Sequence, residues 1–144
     1  MRIIPAATQD EVDIKTLLHI CGLPSDDLSV SHLVHFFVIK ETGQILGCVG
    51  LEVCGKFGLL RSLALAKPLR GRGLGIQLVE QIEAYAGSQQ IHSLYLLTTT
   101  ADRFFGDIGY QAIPRESAPA PVQETAEFQS ICPASAVCML KVLQ

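Results

Sequence analysis

Arg70-Gly71-Arg72-Gly73-Leu74-Gly75 lies between an apolar run, Leu59 to Ala66, and an amphipathic run, Leu74 to Ala86, and this order reads as strand, tight turn and helix. In such a turn successive backbone N–H groups point at one spot, and glycines let an anionic group approach with no Cβ in the way. The helix that follows adds its unpaired first-turn amides and the positive end of its dipole. The stretch is therefore a candidate anion cradle, with a solvated Gly-rich turn as the alternative. Two other cradles do not fit the spacing. A P-loop requires Lys-Ser or Lys-Thr after the last glycine, whereas Gly75 is followed by Ile76-Gln77. A dinucleotide fingerprint requires a third glycine where Ile76 stands.

The surroundings of the cradle alternate strands and helices. Leu74, Leu78, Val79, Ile82, Tyr85 and Ala86 share one helical face, with Glu80 and Glu83 off it. Upstream, Phe36 to Lys40 and Ile45 to Val53 read as strands joined by Glu41-Thr42-Gly43-Gln44, and a turn at Cys54-Gly55-Lys56 leads into the strand Phe57 to Leu65. Downstream come a buried strand, Ser93 to Thr98, a short helix, Ala101 to Ile108, and a strand from Tyr110. A short strand around Arg2 to Ile4 precedes a first helix, with Thr8 as N-cap and Glu11 completing a capping box. Val12, Ile14, Leu17, Leu18 and Cys21 recur on that helix's face, and Gly22 with Pro24 ends it. Ser25 to Val34 reads as a loop with a short helix. Pro114, Pro119, Pro121 and Pro133 exclude a long helix from the last third, where Thr125 to Ser130 forms a helical turn and Ala136 to Val142 a final strand. The expectation is a single α/β domain over residues 1–144, with helices flanking the strands.

Composition narrows the function classes. A net charge of −3 argues against nucleic acid as a partner, which calls for a basic face. No run reaches the roughly 18 apolar residues of a membrane span, and Met1-Arg2-Ile3-Ile4-Pro5 opens without the apolar stretch of a leader, so no membrane partner and a cytoplasmic location are expected. The five cysteines, Cys21, Cys48, Cys54, Cys132 and Cys138, include no C-x-x-C pair and no His at zinc-ligand spacing. They read as small buried hydrophobes, with a thiol-bound soft metal or metalloid as the alternative, and no metal site is expected.

Arg70, Gly73 and Gly75 resemble the (Arg or Gln)-x-x-Gly-x-(Gly or Ala) loop of the GCN5-related N-acetyltransferases (GNAT), which binds the pyrophosphate of acetyl-CoA. Leu94-Tyr95-Leu96-Leu97-Thr98-Thr99-Thr100-Ala101, Phe104-Phe105, Gly109-Tyr110, Thr125-Ala126-Glu127-Phe128 and Cys132-Pro133-Ala134-Ser135-Ala136 together look like the N-acetyltransferases of bacterial arsenic-resistance operons. Those in turn are similar to the acetyltransferase domain of N-acetylglutamate synthases. The resemblance implies a mixed, mostly antiparallel twisted sheet with a V-shaped splay between its two central strands. Acetyl-CoA, as co-substrate, would lie in that opening. Its pantetheine arm would pair with backbone groups of Leu63, Ala64 and Leu65, with Phe105 alongside, and its pyrophosphate would rest on Arg70, Gly71, Arg72, Gly73, Leu74 and Gly75. A backbone N–H near Leu63 would polarise the thioester carbonyl.

The acceptor amine must lose a proton before it attacks. Glu52, on the strand Ile45 to Val53, is the candidate base, with a solvated strand glutamate as the alternative; His32 and His35 are weaker candidates. Phe105 stands where the family commonly has a proton-donating tyrosine, and Tyr110 falls at a packing position, so water or the substrate ammonium is left as acid. Arg61-Ser62 could hold an acceptor carboxylate; alternatively Arg61 faces solvent or pairs with Glu52 on the neighbouring strand. Thr98, Thr99, Arg103 and Ser135 are secondary candidates for lining the pocket. The expected activity is acetylation of the amine of a small amino-acid-like metabolite, with a link to arsenic resistance. Glutamate as acceptor, a non-catalytic acyl-CoA-binding module and acetylation of a protein terminus or lysine are the alternatives. An apolar last strand, Ala136 to Leu143, would be a sticky edge if unpaired and suggests a homodimer.

Overall fold

Phe36 and Val38 are buried on one face of a sheet and Phe37 and Ile39 on the other, the two-residue alternation of a strand covered on both sides. The computed structural model describes residues 2–144. Its strands are β1 (Ile3–Pro5), β2 (Phe36–Glu41), β3 (Gln44–Cys54), β4 (Phe57–Leu65), β5 (Ser93–Thr98), β6 (Gln111–Ile113) and β7 (Val137–Val142). They form one sheet in the order β1-β2-β3-β4-β5-β7-β6. Neighbours are antiparallel throughout, except that β4 and β5 are parallel. This is the expected mixed, mostly antiparallel α/β sheet.

Helix α2 (Leu74–Ser88) packs Leu78, Val79, Ile82 and Ala86 onto the face that carries Phe37, Ile39, Val49, Leu51 and Leu60. Each such aliphatic side chain withdraws from water for about 1.5–3 kcal/mol. On the opposite face α1 (Glu11–Ile20) sets Ile14, Leu17 and Leu18 against Phe36, Val38, Cys48 and Ala64. That face continues under α4 (Ala120–Gln123) and a π-helical turn, Glu127–Ile131, where Val122 and Phe128 cover Leu59, Tyr95 and Cys138. A short helix α3 (Asp102–Asp107) buries Phe105 in the α2 core.

Two features open the middle of the sheet. The ladder between β4 and β5 holds only Phe57 with Ser93, Gly58 with Leu94 and Leu59 with Tyr95; beyond it the two strands continue without pairing to each other, β4 held by β3 and β5 by β7. In addition, the register of β3 against β4 shifts, Cys48 facing Ala64 but Gly50 facing Arg61, so β4 carries one extra residue. Ser62 sits in this bulge with φ 61°. A bulge bends its strand, and a left-handed non-glycine residue costs about 1–3 kcal/mol, so this geometry is held by its surroundings. The expected splay is therefore present.

Several expectations change. The first helix is entered through a 3-10 turn, Thr8–Asp10, in which Ala7 N–H donates to Asp10 Oδ2 at 2.8 Å, so Asp10 replaces the expected box of Thr8 and Glu11. Glu11 pairs instead with Lys15 at 2.9 Å. Val12 is 72% exposed and leaves the apolar face. Helix α4 was hidden by its prolines, yet Pro121 stands in its first turn, where a missing N–H removes no helical bond. The last strand is not an edge, because β7 pairs with β5 on one side and β6 on the other, and the strand-edge argument for a homodimer falls with it.

Candidate active site

At the head of α2 the local sequence leaves its first-turn amides open. Gly73 is the N-cap in a left-handed conformation, φ 77°, and provides no side-chain cap. The first helical bond is Gln77 N–H to the Gly73 carbonyl at 3.2 Å, so the amides of Leu74, Gly75 and Ile76 have no helical acceptor. Gly71 is also left-handed, φ 78°, and Cβ atoms built at Gly71 and Gly73 would meet open space. Residues 70–73 are exposed. These are the features of a main-chain anion cradle, and they fit a pyrophosphate. Arg70 bends away from it: Nε donates to the Leu65 carbonyl at 3.1 Å and Nη2 approaches Cys21 Sγ at 3.7 Å.

A cleft of about 970 Å³, which Arg70 lines at the edge of this turn, opens where β4 and β5 lose their pairing. Its walls include Arg61, Ser62, Leu63, Ala64 and Leu65 from β4, Arg70, Thr98 and Thr99 from the end of β5, and Phe105. Ala66 N–H bonds the Leu46 carbonyl at 2.8 Å, so the peptide groups of Leu65 face away from β3 and into the opening. Residues 22–26 and 130–133 form the remaining walls. Thr98 Oγ1 accepts the Ala101 N–H at 2.9 Å and shapes the lead into α3. Ser135 and Arg103 are exposed and do not line the cleft, although Pro133 and Ala136 do.

Behind the bulge is a buried charge cluster. Gly50 pairs with Arg61 and Glu52 with Leu59, which places Glu52 and Arg61 side by side on one face. Arg61 is 2% exposed. Its Nη1 donates to Asp27 Oδ2 and Glu52 Oε1, both at 2.6 Å, its Nη2 to Asp27 Oδ1 at 2.8 Å, and its Nε to Ser62 Oγ at 3.0 Å. Glu127 Oε2 lies 3.3 Å from the same Nε. Arg61 is thus the partner of Glu52, the third of its expected placements, and its fork is not open to a substrate carboxylate. Burial, reinforced by Glu52 and Asp27 and opposed by Arg61, pushes the Glu127 carboxyl up to about 7. Asp27 is held below the usual carboxylate range: burial works against this, and the bond and charge of Arg61 outweigh it.

Asp27, His32 and Glu52 bring one ligand atom each within 4.8 Å of one another, a spacing that would suit a cation, but Arg61 Nη1 already bonds both carboxylates. His32 Nδ1 accepts the Ser29 N–H at 3.1 Å, and His35 Nδ1 shares a 2.5 Å bond with the Tyr85 hydroxyl; neither histidine lines the cleft. Glu52 is half-buried, does not line the cleft and keeps Oε2 free of Arg61. Tyr110 is buried, with its hydroxyl donated to Glu83 at 2.8 Å, and is a packing residue as expected. Of the cysteines, Cys48, Cys54 and Cys138 are buried; burial pushes Cys48 up to about 12. Cys21 and Cys132 are half-buried and line the cleft, which the reading as wholly buried hydrophobes missed.

Asp27 and Glu127 were also missed as site residues. Asp27 lies in a polar loop, and Glu127 in Thr125-Ala126-Glu127-Phe128, a stretch that carries the family resemblance but points to no site role for its glutamate. The available signal was Arg61 itself, an arginine inside Leu59-Leu60-Arg61-Ser62-Leu63, because a guanidinium buried in a strand needs anionic partners.

A parallel strand pair that loses its pairing beside an uncapped helix start leaves a cleft with an anion-binding group at its edge. The chain belongs to the acetyltransferase (GNAT) family, whose sequence model matches residues 8–110. It is 32% identical over 94 residues to an uncharacterized N-acetyltransferase of Chlorobaculum tepidum, covering 65% of this chain and 60% of that protein. It is also 32% identical over 96 residues to the amino-acid acetyltransferase of Pseudomonas fluorescens, covering 65% of this chain but 22% of that one. The chain thus spans less than two thirds of the length of each of these relatives. The fold is similar to that of N-acetylglutamate synthase from Neisseria gonorrhoeae, crystallised with coenzyme A and N-acetyl-glutamate, with a TM-score of 0.85 at 21% identity over 99% of this chain and 35% of that one.

Proposed function

We propose that this chain is an acetyl-CoA-dependent N-acetyltransferase acting on the amine of a small amino-acid-like metabolite by direct attack on the thioester. The observation that carries the reading is the cleft at the β4–β5 splay, which Arg70 lines, together with the open amides of Leu74, Gly75 and Ile76 at the start of the helix a few residues further on. Acetyl-CoA supplies the activated acetyl group. The α2 amides and the glycines of the turn hold its pyrophosphate; coenzyme A is the ligand named for the Neisseria protein of similar fold. The free edge of β4 at Leu63, Ala64 and Leu65 pairs with the pantetheine, which requires the Arg70 side chain to release the Leu65 carbonyl. The Leu63 amide donates to the thioester carbonyl oxygen, a fixed donor that needs no reorganisation. The acidic cluster accepts the ammonium proton, with Glu52 acting through its free oxygen and a water. Phe105 donates no proton, so the thiolate leaves unassisted or takes its proton from water.

The acceptor is read as amino-acid-like because relatives carry the name amino-acid acetyltransferase. Glutamate is the second reading, favoured by N-acetyl-glutamate in the Neisseria complex. Against it, Arg61 is buried with four of its five N–H donors taken by Asp27, Glu52 and Ser62, and a second carboxylate would find an anionic neighbourhood. The arsenic-operon resemblance adds an arsenic-containing glutamate analogue to the substrates worth testing. Five free thiols fit a reducing, cytoplasmic setting. No helix among the described residues is long and apolar enough to cross a membrane.

Mass spectrometry of small-molecule products tests the reading, using acetyl-CoA with a panel of neutral, basic and acidic amino acids and the arsenical. One acetylated amine is the expected result. CoA binding with no product would favour the non-catalytic binding module, and absence of CoA binding would remove the cradle assignment.

A further inference from the structure

We propose that Arg61 is the positioning residue of this site: its guanidinium locks the Ser62 bulge and both acceptor-side walls of the cleft into one arrangement. The inference rests on the transferase reading for its catalytic consequence, although the lock itself can be tested without turnover. Three other segments meet the bulge at this one side chain: the loop after α1 through Asp27, β3 through Glu52 and the π-helical turn through Glu127, while Ser62, the next residue on β4, is the bulge itself. The Asp27 loop and the Glu127 turn continue directly into cleft-lining residues, Asp26 on one side and Ser130 to Pro133 on the other.

The donor accounting explains why the residue is an arginine. Of five N–H groups, two on Nη1, one on Nη2 and the one on Nε are engaged. A lysine ammonium offers three donors from one point and cannot reach oxygens arranged around a planar fork. The bulge also needs support from outside. Ser62 holds φ 61° without being glycine; Arg61 Nε anchors its hydroxyl at 3.0 Å, and Cys48 Sγ reaches its carbonyl at 3.2 Å. The residue that follows is Leu63, whose amide the transferase reading directs at the thioester. Loss of the fork would release the bulge and both walls together, while the α2 amides, which hold the other end of the ligand, would be untouched.

The test compares wild type and Arg61→Lys, each with coenzyme A bound, by hydrogen exchange with mass spectrometry, by CoA titration and by steady-state kinetics. The expected result is faster exchange in peptides covering both 22–30 and 125–133, and a Kd for CoA changed by less than about threefold. Where an acceptor is turned over, kcat falls by about 100-fold, the size expected from a misplacement near 1 Å, at an unchanged KM for acetyl-CoA. Replacement of Ser62 by Gly, which adopts the left-handed bend without an anchor, should restore part of kcat in the Arg61→Lys background, a recovery that a purely structural role would not give. Exchange unchanged in both walls, or raised in one alone, overturns the lock. A kcat within threefold of wild type overturns the positioning role. If wild type turns over no amine, the transferase reading fails while the exchange data still decide the lock. If Arg61→Lys does not fold, Asp27→Asn takes the same readings with the same criteria.

Discussion

The two ends of the cleft are built on opposite plans. At the head of α2 the groups that matter are backbone amides, the side chains are exposed, and glycines are needed at φ 77° and 78°. At the Ser62 bulge the groups that matter are side chains, Arg61 is buried, and its anionic partners come from three separate segments. A main-chain site tolerates sequence drift wherever the backbone angles are kept. A side-chain network does not, since removal of the one guanidinium would strand the carboxylates packed around it, at about 3–5 kcal/mol.

Substitutions at the two ends should therefore differ in kind. The largest effect is expected from Glu52→Gln, which keeps the shape of the cluster but accepts no proton: kcat should fall by about 100-fold or more, with CoA titration unchanged. Full activity in that variant would move the base to Glu127 or to water. Next, Gly73→Val places a β-branched residue at φ 77° and should weaken CoA binding by about 30- to 100-fold, the equivalent of roughly 2–3 kcal/mol of backbone strain. A Kd within threefold of wild type, by calorimetry, would break the contrast from the cradle side.

A third effect is set by pH. The Glu127 carboxyl is raised to about 7 in the folded chain from an ordinary value of 4.5, so folding favours its protonated form. That contribution is complete below about pH 4.5 and is lost as pH rises through about 7. Glu127→Gln escapes the loss, and its Tm should exceed wild type by roughly 5 °C near pH 8.5 and match it near pH 5. Thermal melts showing the larger gap at pH 5 would reverse the assigned direction. The smallest effect is expected at Arg72, exposed and without a bonded partner among the hydrogen bonds of the described residues: Arg72→Ala should shift CoA affinity by less than about threefold at moderate salt.

The same contrast explains what could be read in advance. The cradle was legible because left-handed turns select glycine, and Gly71 and Gly73 announce them. The strands Phe57–Leu65 and Ser93–Thr98 were legible in their limits, since each is an apolar run bounded by turn residues or a helix. Glu52 was visible as a lone acid in a strand, but whether it faced solvent or Arg61 depended on the register of β3 against β4. Asp27 and Glu127 could not be placed from local sequence, because a loop and a π-helical turn are brought to Arg61 only by packing against the sheet. Ser135 and Arg103 show the reverse case: polar residues beside the cleft in sequence that the fold turns outward.

Although β7 comes last in the chain, it is inserted between β5 and β6. During synthesis, at about 5–20 residues per second, the β5 edge and β6 both wait for Val137–Val142 to leave the ribosome. Until then β5 is tied to the growing sheet only through Phe57, Gly58 and Leu59 of β4. The segment that carries Glu127 runs between β6 and β7 and can be drawn over the sheet only when that last strand docks. A nascent chain halted before residue 137 would thus hold a finished cradle beside an acceptor side that has not yet closed.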